Sequence, residues 1–303
     1  MQKKSNFNGV LSLVLCALLW STGGFLVKLT DWNPFAIAGM RSLIGFIAIC
    51  LIERRLPLFF VRKPNLNFSD TQISPIDVQS TFFLYLAAIC YSLTMILYIM
   101  ANKMTTAANT ILLQYTDPIY IILFGPLILG EKNRVSDYIT VIGVIAGMVL
   151  FFADGLSGGN MTGNILAMIS GLTWGFCVIF MRRLRGVGSL NAFLIAHIIT
   201  FLVGLPFMFT SGMPSGLTML GLFLLGVFQI GLPSILYARG INTVRALTAS
   251  FISMIEPMMN PVWVLLFDHE VPSLWTLIGG GIIILFIIFN AAFQTRKNNL
   301  LQK

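Results

Sequence analysis

Two carboxylates sit inside apolar runs of this chain, each directly before a proline. Asp117-Pro118 lies in TDPIYIILFGPLILGE (116–131), and Glu256-Pro257 lies in IEPMMNPVWVLLFDHE (255–270), 139 residues further on. The runs close with Glu131 and Glu270. An acid at the centre of a membrane helix costs ~2.5–3.5 kcal/mol on insertion scales. Proline lacks the N–H that would bond the carbonyl one turn earlier, so Pro118 frees the carbonyl of Gln114 and Pro257 that of Ser253. At membrane depth such carbonyls are tolerated only where protein or a wet cavity satisfies them. A polar central cavity is the expectation. Asp117 and Glu256 there could bind a cationic or zwitterionic solute, or pick up and release a proton. The plainer alternative is a neutral carboxylic acid bonded to a freed carbonyl, stabilising the kink.

Other residues could join that chemistry. Arg41 falls inside an apolar run, where it could attract a solute carboxylate, pair with Asp117, or snorkel outward. Trp20 and Trp174 lie near mid-span, a depth at which an indole can line a cavity and stack on a solute. Tyr98 and Tyr237 could gate or hydrogen-bond. Packing is the alternative for all four aromatics. His197 is expected to be a bonded packing residue. Glu131 and Glu270, at span ends, are expected to cap helices or form ion pairs. Gly143-x-x-x-Gly147 is a close-packing motif, expected to act within the chain rather than between chains.

The elements that position these residues follow from composition. Of 303 residues, 57% are hydrophobic and 10% charged, against about 25% charged in soluble domains. The apolar runs are about 18 to 24 residues long, enough for ~30 Å of hydrocarbon. The class is all-α integral membrane; a β-barrel would show short alternating segments. Ten spans are predicted, near 9–30, 34–54, 81–101, 105–128, 136–154, 163–183, 190–210, 217–238, 246–267 and 273–294. The first run is read as a span rather than a signal peptide, because it is long and no A-x-A-like site follows. The net charge of +8 does not point to nucleic acid, because the basic residues cluster between spans. With the N-terminus inside, sixteen of the 19 Lys and Arg residues fall on the cytoplasmic side, all except Lys28, Arg41 and Lys103. That bias predicts both termini to be cytoplasmic. Cys16, Cys50, Cys90 and Cys177 lie in apolar runs with no CxxC or Cys/His grouping, so no disulfide, metal or cofactor is expected.

The chain also repeats itself. LTMILY (93–98) aligns with LPSILY (232–237) at the same offset of 139 that relates Asp117-Pro118 to Glu256-Pro257 and Glu131 to Glu270. GVLSLVLCALLWS (9–21) aligns with GNILAMISGLTWG (163–175) at an offset of 154, matching Trp20 to Trp174. The expected organisation is two five-span units, 1–154 and 155–303. An odd span count inverts the second unit, giving ten transmembrane helices in two inverted-topology repeats. Such a fold has two near-equivalent packings, one open to each side.

WSTGGFLVK (20–28), Arg41, the mid-helix prolines and terminal glutamates (Pro118 to Glu131, Pro257 to Glu270), and Gly143, Gly147 and Gly279 to Gly281 resemble the drug/metabolite transporter superfamily, specifically its EamA-type branch. The resemblance covers nearly the whole chain and implies movement of a small solute through a cavity lined mainly by spans 1, 3, 4, 6, 8 and 9. Asp117 departs from it, since an uncharged residue commonly precedes the first proline in that family. The function expected is a secondary transporter, in the exporting direction, of a small organic metabolite such as an amino acid, or of a drug-like solute. Its partners would be the lipid bilayer of the cell membrane, the solute and, as coupling ion, the proton, with the chain a monomer or homodimer. A membrane-embedded enzyme or a channel are the competing classes. The chain shows no HExxH, GxSxG or P-loop, and no selectivity-filter motif.

Overall fold

The computed structural model describes residues 2–23, 26, 30–62, 76–105, 107–155, 160–184, 187–267 and 273–300. Lys28 and Glu270 lie outside them. The described residues are helical throughout, apart from connecting turns, a 3-10 turn at Ala153–Gly155 and one isolated antiparallel bridge between Arg62 and Ile76.

In chain order the helices are α1 (Gln2–Trp20), α2 (Pro34–Glu53), α3 (Val78–Met104), α4 (Ala107–Gln114), α5 (Asp117–Leu129), α6 (Val135–Phe151), α7 (Met161–Arg183), α8 (Val187–Thr210), α9 (Gly216–Leu224), α10 (Leu232–Ile241), α11 (Ala246–Ser253), α12 (Ile255–Phe267) and α13 (Leu274–Leu300). A π-helical segment, Leu225–Gly231, joins α9 to α10. Local chemistry sets many of these ends. Asn33 Oδ1 accepts from the Phe35 and Ala36 amides ahead of Pro34, and Asp77, Asn160 and Ser215 cap α3, α7 and α9 in the same way. Gly130 ends α5 at φ 69°, a left-handed turn that glycine adopts without a Cβ clash.

The predicted fault lines are real breaks. α4 and α5 are separated at Tyr115 and Thr116, and α11 and α12 at Met254. Each break starts a new helix with an acid in its first turn, Asp117 for α5 and Glu256 for α12. Acid followed by proline is what a helix N-terminus accepts: the proline gives up an N–H that had no partner there, and the carboxylate faces the positive end of the helix dipole. The segment 217–238, predicted as one span, contains the seven-residue π segment. Pro233 supplies the physical reason, because it cannot donate to the preceding turn.

Among the described residues, six helical stretches are long and apolar enough to cross a membrane: Pro34–Glu53, Val78–Asn102, Asn109–Leu129, Met161–Arg183, Gly188–Thr210 and Gly216–Ile241. Four shorter apolar helices accompany them, at 8–20, 135–151, 246–259 and 274–290. Burial is inverted relative to a water-soluble core. Leu127, Val135, Ile142 and Phe209 are at least 70% exposed, while Asp137, Thr140, His197, Thr200 and Asn290 are buried. Hydrocarbon is the solvent that such a surface suits.

The principal packing partners come from different halves of the chain. α1 lies against α10, α11 and α12, and α7 lies against α3, α4 and α5. α2 packs on α8 and the π segment, α8 on α3, and α6 on α13. Glycine permits the last contact: a Cβ on Gly279 would fall 2.3 Å from the Phe151 nitrogen and 2.6 Å from the Gly147 carbonyl. Gly143 likewise abuts Phe286, so this glycine motif packs helices within one chain.

All four ion pairs found among the described residues lie at one end of the bundle, where α2, α5, α7 and α10 finish and α6 and α11 begin. At the other end, neutral groups make the ties. Trp32 Nε1 donates to the Gly212 carbonyl, Thr105 Oγ1 donates to Asn164, and Thr276 Oγ1 donates to the Phe151 carbonyl.

Candidate functional site

Helices from both halves line a partly open cavity, with about 550 Å³ of empty space when the part open to solvent is included. Its wall takes Trp20 from α1, Arg41 from α2, and Tyr91, Thr94, Met95 and Tyr98 from α3. Gln114 and Tyr115 come from the first break, Trp174 from α7, Gln229 from the π segment and Glu256 from the second break.

Five of the seven sequence-predicted candidates therefore meet: Trp20, Arg41, Tyr98, Trp174 and Glu256. The repeat-related indoles are in edge-to-face contact, with ring centroids 5.5 Å apart. Tyr237 does not line the cavity. It is fully buried behind the indoles, 5.4 Å from Trp20 and 5.3 Å from Trp174, and supports them from the rear. Its repeat partner Tyr98 faces the space itself.

The two break acids differ as well. Glu256 lines the cavity, and Tyr115 Oη donates to its Oε2 at 2.6 Å. The same hydroxyl lies 3.3 Å from the carbonyl of Ser253, the group freed by Pro257. Asp117 lies behind the wall, 1% exposed, where Ser250 Oγ donates to its Oδ2. Each acid thus takes a hydroxyl from the other broken span, Asp117 from α11 and Glu256 from the α4–α5 turn. The carbonyl of Gln114, freed by Pro118, lies against α7, where a Cβ on Gly171 would come within 2.5 Å of it. Gly175 gives the same close approach to the Asp117 carbonyl, at 3.2 Å. Pro118 and Pro257 are thus helix-break residues that shape the wall without entering it.

Arg41 is buried and makes two long contacts: Nη1 donates to Gln229 Oε1 at 3.4 Å and Nη2 to Met95 Sδ at 3.5 Å. It forms no ion pair with Asp117. His197 is a buried packing residue, its Nε2 3.3 Å from Ser234 Oγ and its ring against Tyr91. Glu131 is both a cap and an ion-pair partner. It receives Arg182 Nε at 2.9 Å and the Ala246 amide at 3.3 Å.

Tyr91, Thr94, Met95, Gln114, Tyr115 and Gln229 were not foreseen from the sequence. Gln114 and Gln229 carried a signal. Each occupies the position four residues before a proline inside an apolar run (Pro118 and Pro233), where the backbone is bound to depart from regular helix. Among the described residues no group of three or more His, Cys, Asp or Glu side chains could hold a metal ion.

A cavity walled by aromatic and polar side chains, set among helices with an apolar outer surface, fits a multi-pass membrane transporter for a small-molecule solute. The chain belongs to the EamA-like transporter family, whose family model matches residues 7–153 and again 161–292. It is 25% identical over 308 residues to an uncharacterized transporter of Clostridium kluyveri, covering 96% of each chain. It is 24% identical over 295 residues to the pseudopaline exporter CntI of Pseudomonas aeruginosa, covering 96% of this chain and 97% of that one. A solved crystal structure matches 98% of the chain, and 99% of its own, with a TM-score of 0.76 at 18% identity. That last similarity concerns the fold alone.

Proposed function

We propose that the chain is a secondary transporter that exports a small organic metabolite, such as an amino acid, or a drug-like solute across the cell membrane by alternating access. In this reading ten helices cross the membrane as two inverted units, 1–154 and 155–303, with both termini cytoplasmic. The observation that carries it is the cavity itself. The first unit supplies Trp20, Arg41 and Tyr98, the second Trp174, Gln229 and Glu256, so relative movement of the units changes the walls on both sides of a solute. The pairing of α1 with α10 to α12, and of α7 with α3 to α5, is what a pseudo-two-fold axis between inverted units requires.

The charged end, with Arg182, Arg239 and Arg245 in its ion pairs, is the cytoplasmic end under the bias of basic residues. There Glu131 and Asp137 of the first unit are tied to Arg182 and Arg245 of the second. These ties hold that end shut, and they part when the cavity opens inward. Asp117, buried, and Glu256, half-buried on the cavity, are each held by one hydroxyl and carry the coupling proton.

Counterflow in proteoliposomes tests the reading. Vesicles preloaded with unlabelled amino acids, organic acids or organic amines are expected to accumulate at least one labelled counterpart transiently. Labelled solute that only equilibrates, with no overshoot, for every compound would count against carrier exchange. A steady unitary current would favour a channel.

A further inference from the structure

We propose that Arg41 and Glu256 form a charge-selective pair for a zwitterionic solute, Arg41 receiving its carboxylate and Glu256 its ammonium group. This rests on the transport reading and narrows it to a class of substrate.

Two buried arginines of the same molecule make the comparison. Arg182, 8% exposed, has an internal partner set: Glu131 Oε1 at 2.9 Å, the Ile241 carbonyl at 3.0 Å and the Asn242 carbonyl at 2.8 Å. Arg41, 4% exposed, has nothing comparable. Among the described residues no carboxylate lies within 4.0 Å of it, because all four ion pairs belong to Arg182, Arg239 and Arg245. Its contacts are a neutral amide at 3.4 Å and a thioether sulfur at 3.5 Å, and among the described residues its Nε has no hydrogen-bond partner. A buried guanidinium without an anion is costly, and this one lines the cavity. Its planar fork suits a carboxylate held by two parallel hydrogen bonds.

The opposite charge on the same wall is Glu256. Tyr115 occupies its Oε2, and an ammonium group can reach the carboxylate from the cavity side. Asp117 does not compete, because it lies outside the cavity on Ser250. One cationic and one anionic group therefore face the space, and they select a solute with one charge of each sign. The indoles of Trp20 and Trp174 and the ring of Tyr98 provide a surface for its apolar part and for an ammonium group.

The test uses the purified full-length chain in detergent, with binding read by calorimetry and thermal shift. The probes are the standard amino acids, each compared with the amine that lacks its carboxylate, the acid that lacks its ammonium group, and sodium chloride and sulfate. At least one amino acid should bind at least about tenfold more tightly than either of its singly charged analogues. Arg41→Gln should weaken that amino acid and its acid analogue while sparing the amine, and Glu256→Gln should do the reverse. Arg41→Lys keeps the charge without the planar fork. It serves as the folding control, with an intermediate loss.

The proposal falls if no amino acid binds at about 10 mM to a protein that melts cooperatively. It also falls if the amine or the acid binds as well as the amino acid, or if chloride or sulfate alone satisfies Arg41. Zwitterion binding without counterflow would overturn the transport reading and leave this one standing. Counterflow of a solute lacking one of the charges would do the opposite.

Discussion

Replacing Arg182 with alanine tests whether the charged-end network holds that end of the bundle shut. Arg182 joins the end of α7 to Glu131 after α5 and to two carbonyls at the end of α10. Breaking a buried ion pair from one side costs ~3–5 kcal/mol. Here the side chains of Arg182 and Glu131 are 10% and 15% exposed, so water reaches part of the site. Glu131 also keeps the Ala246 amide at 3.3 Å and Arg245 Nε at 3.9 Å. The cost therefore falls below that range, at about 2–3 kcal/mol, or roughly a 30- to 160-fold shift in the balance between the closed end and an open one. An internal control exists. Arg239–Glu53 is also short, at 2.7 Å, but its arginine is 63% exposed, and exposed pairs contribute only about 0–1 kcal/mol.

Alkylation rate is the assay. Gln114→Cys places a thiol on the cavity wall in a background where Cys16, Cys50, Cys90 and Cys177 are alanine. A membrane-impermeant maleimide is then applied from the cytoplasmic face of inside-out vesicles. Arg182→Ala should raise the labelling rate by tens of fold, and Arg239→Ala should change it less than about fivefold, as expected from a pair worth under 1 kcal/mol. Equal rates in the two variants, both monodisperse and cooperatively melting, would refute the reasoning. The network would then be a structural tie with no part in closure.

Three further outcomes are expected. Trp20→Ala and Trp174→Ala should each weaken solute binding by about tenfold or more, through loss of an aromatic wall worth ~0.5–1.5 kcal/mol beyond its buried area, while Trp174→Phe should retain most of it; calorimetry with a bound solute decides, and unchanged affinity would return the indoles to a packing role. Asp117→Asn keeps an oxygen for Ser250 to donate to but cannot ionise, so a coupling role predicts that an imposed pH gradient no longer accelerates net transport while counterflow persists; an undiminished gradient response would remove Asp117 from coupling. Gly279→Leu drives side-chain atoms into the backbone of α6 and should destabilise by about 1–3 kcal/mol, whereas Gly281→Leu enters open space and should melt like the parent chain.

The sequence made the two breaks legible because an acid-proline pair inside an apolar run has few physical explanations. It also led to the indoles, since Trp20 and Trp174 share a repeat position and meet at the cavity. It could not say which acid would face the solute. Asp117 and Glu256 align at an offset of 139, yet one lies behind the wall and the other on the cavity. Their partners explain the difference, because the hydroxyl donors are not themselves repeat-related. At the same offset Ser250 corresponds to Ile111, and Tyr115 to Met254. Both aligned segments carry the backbone break, while the single positions around it decide the orientation of each carboxylate.

Gln229 stayed hidden for a different reason. The π segment changes the helical register within a span, and apolar periodicity assumes a constant register. Pro233 marks that a departure occurs but not by how much each side chain turns. Arg41 combines both difficulties. Its depth follows from the sequence, but its freedom from any internal carboxylate depends on where Asp117 and Glu256 turn. With Asp117 committed to Ser250 and Glu256 to Tyr115, the guanidinium is left facing the cavity beside a neutral amide and a sulfur. The difference between the two aligned segments leaves one cationic and one anionic group on the cavity, and the proposed preference for a zwitterion rests on that difference.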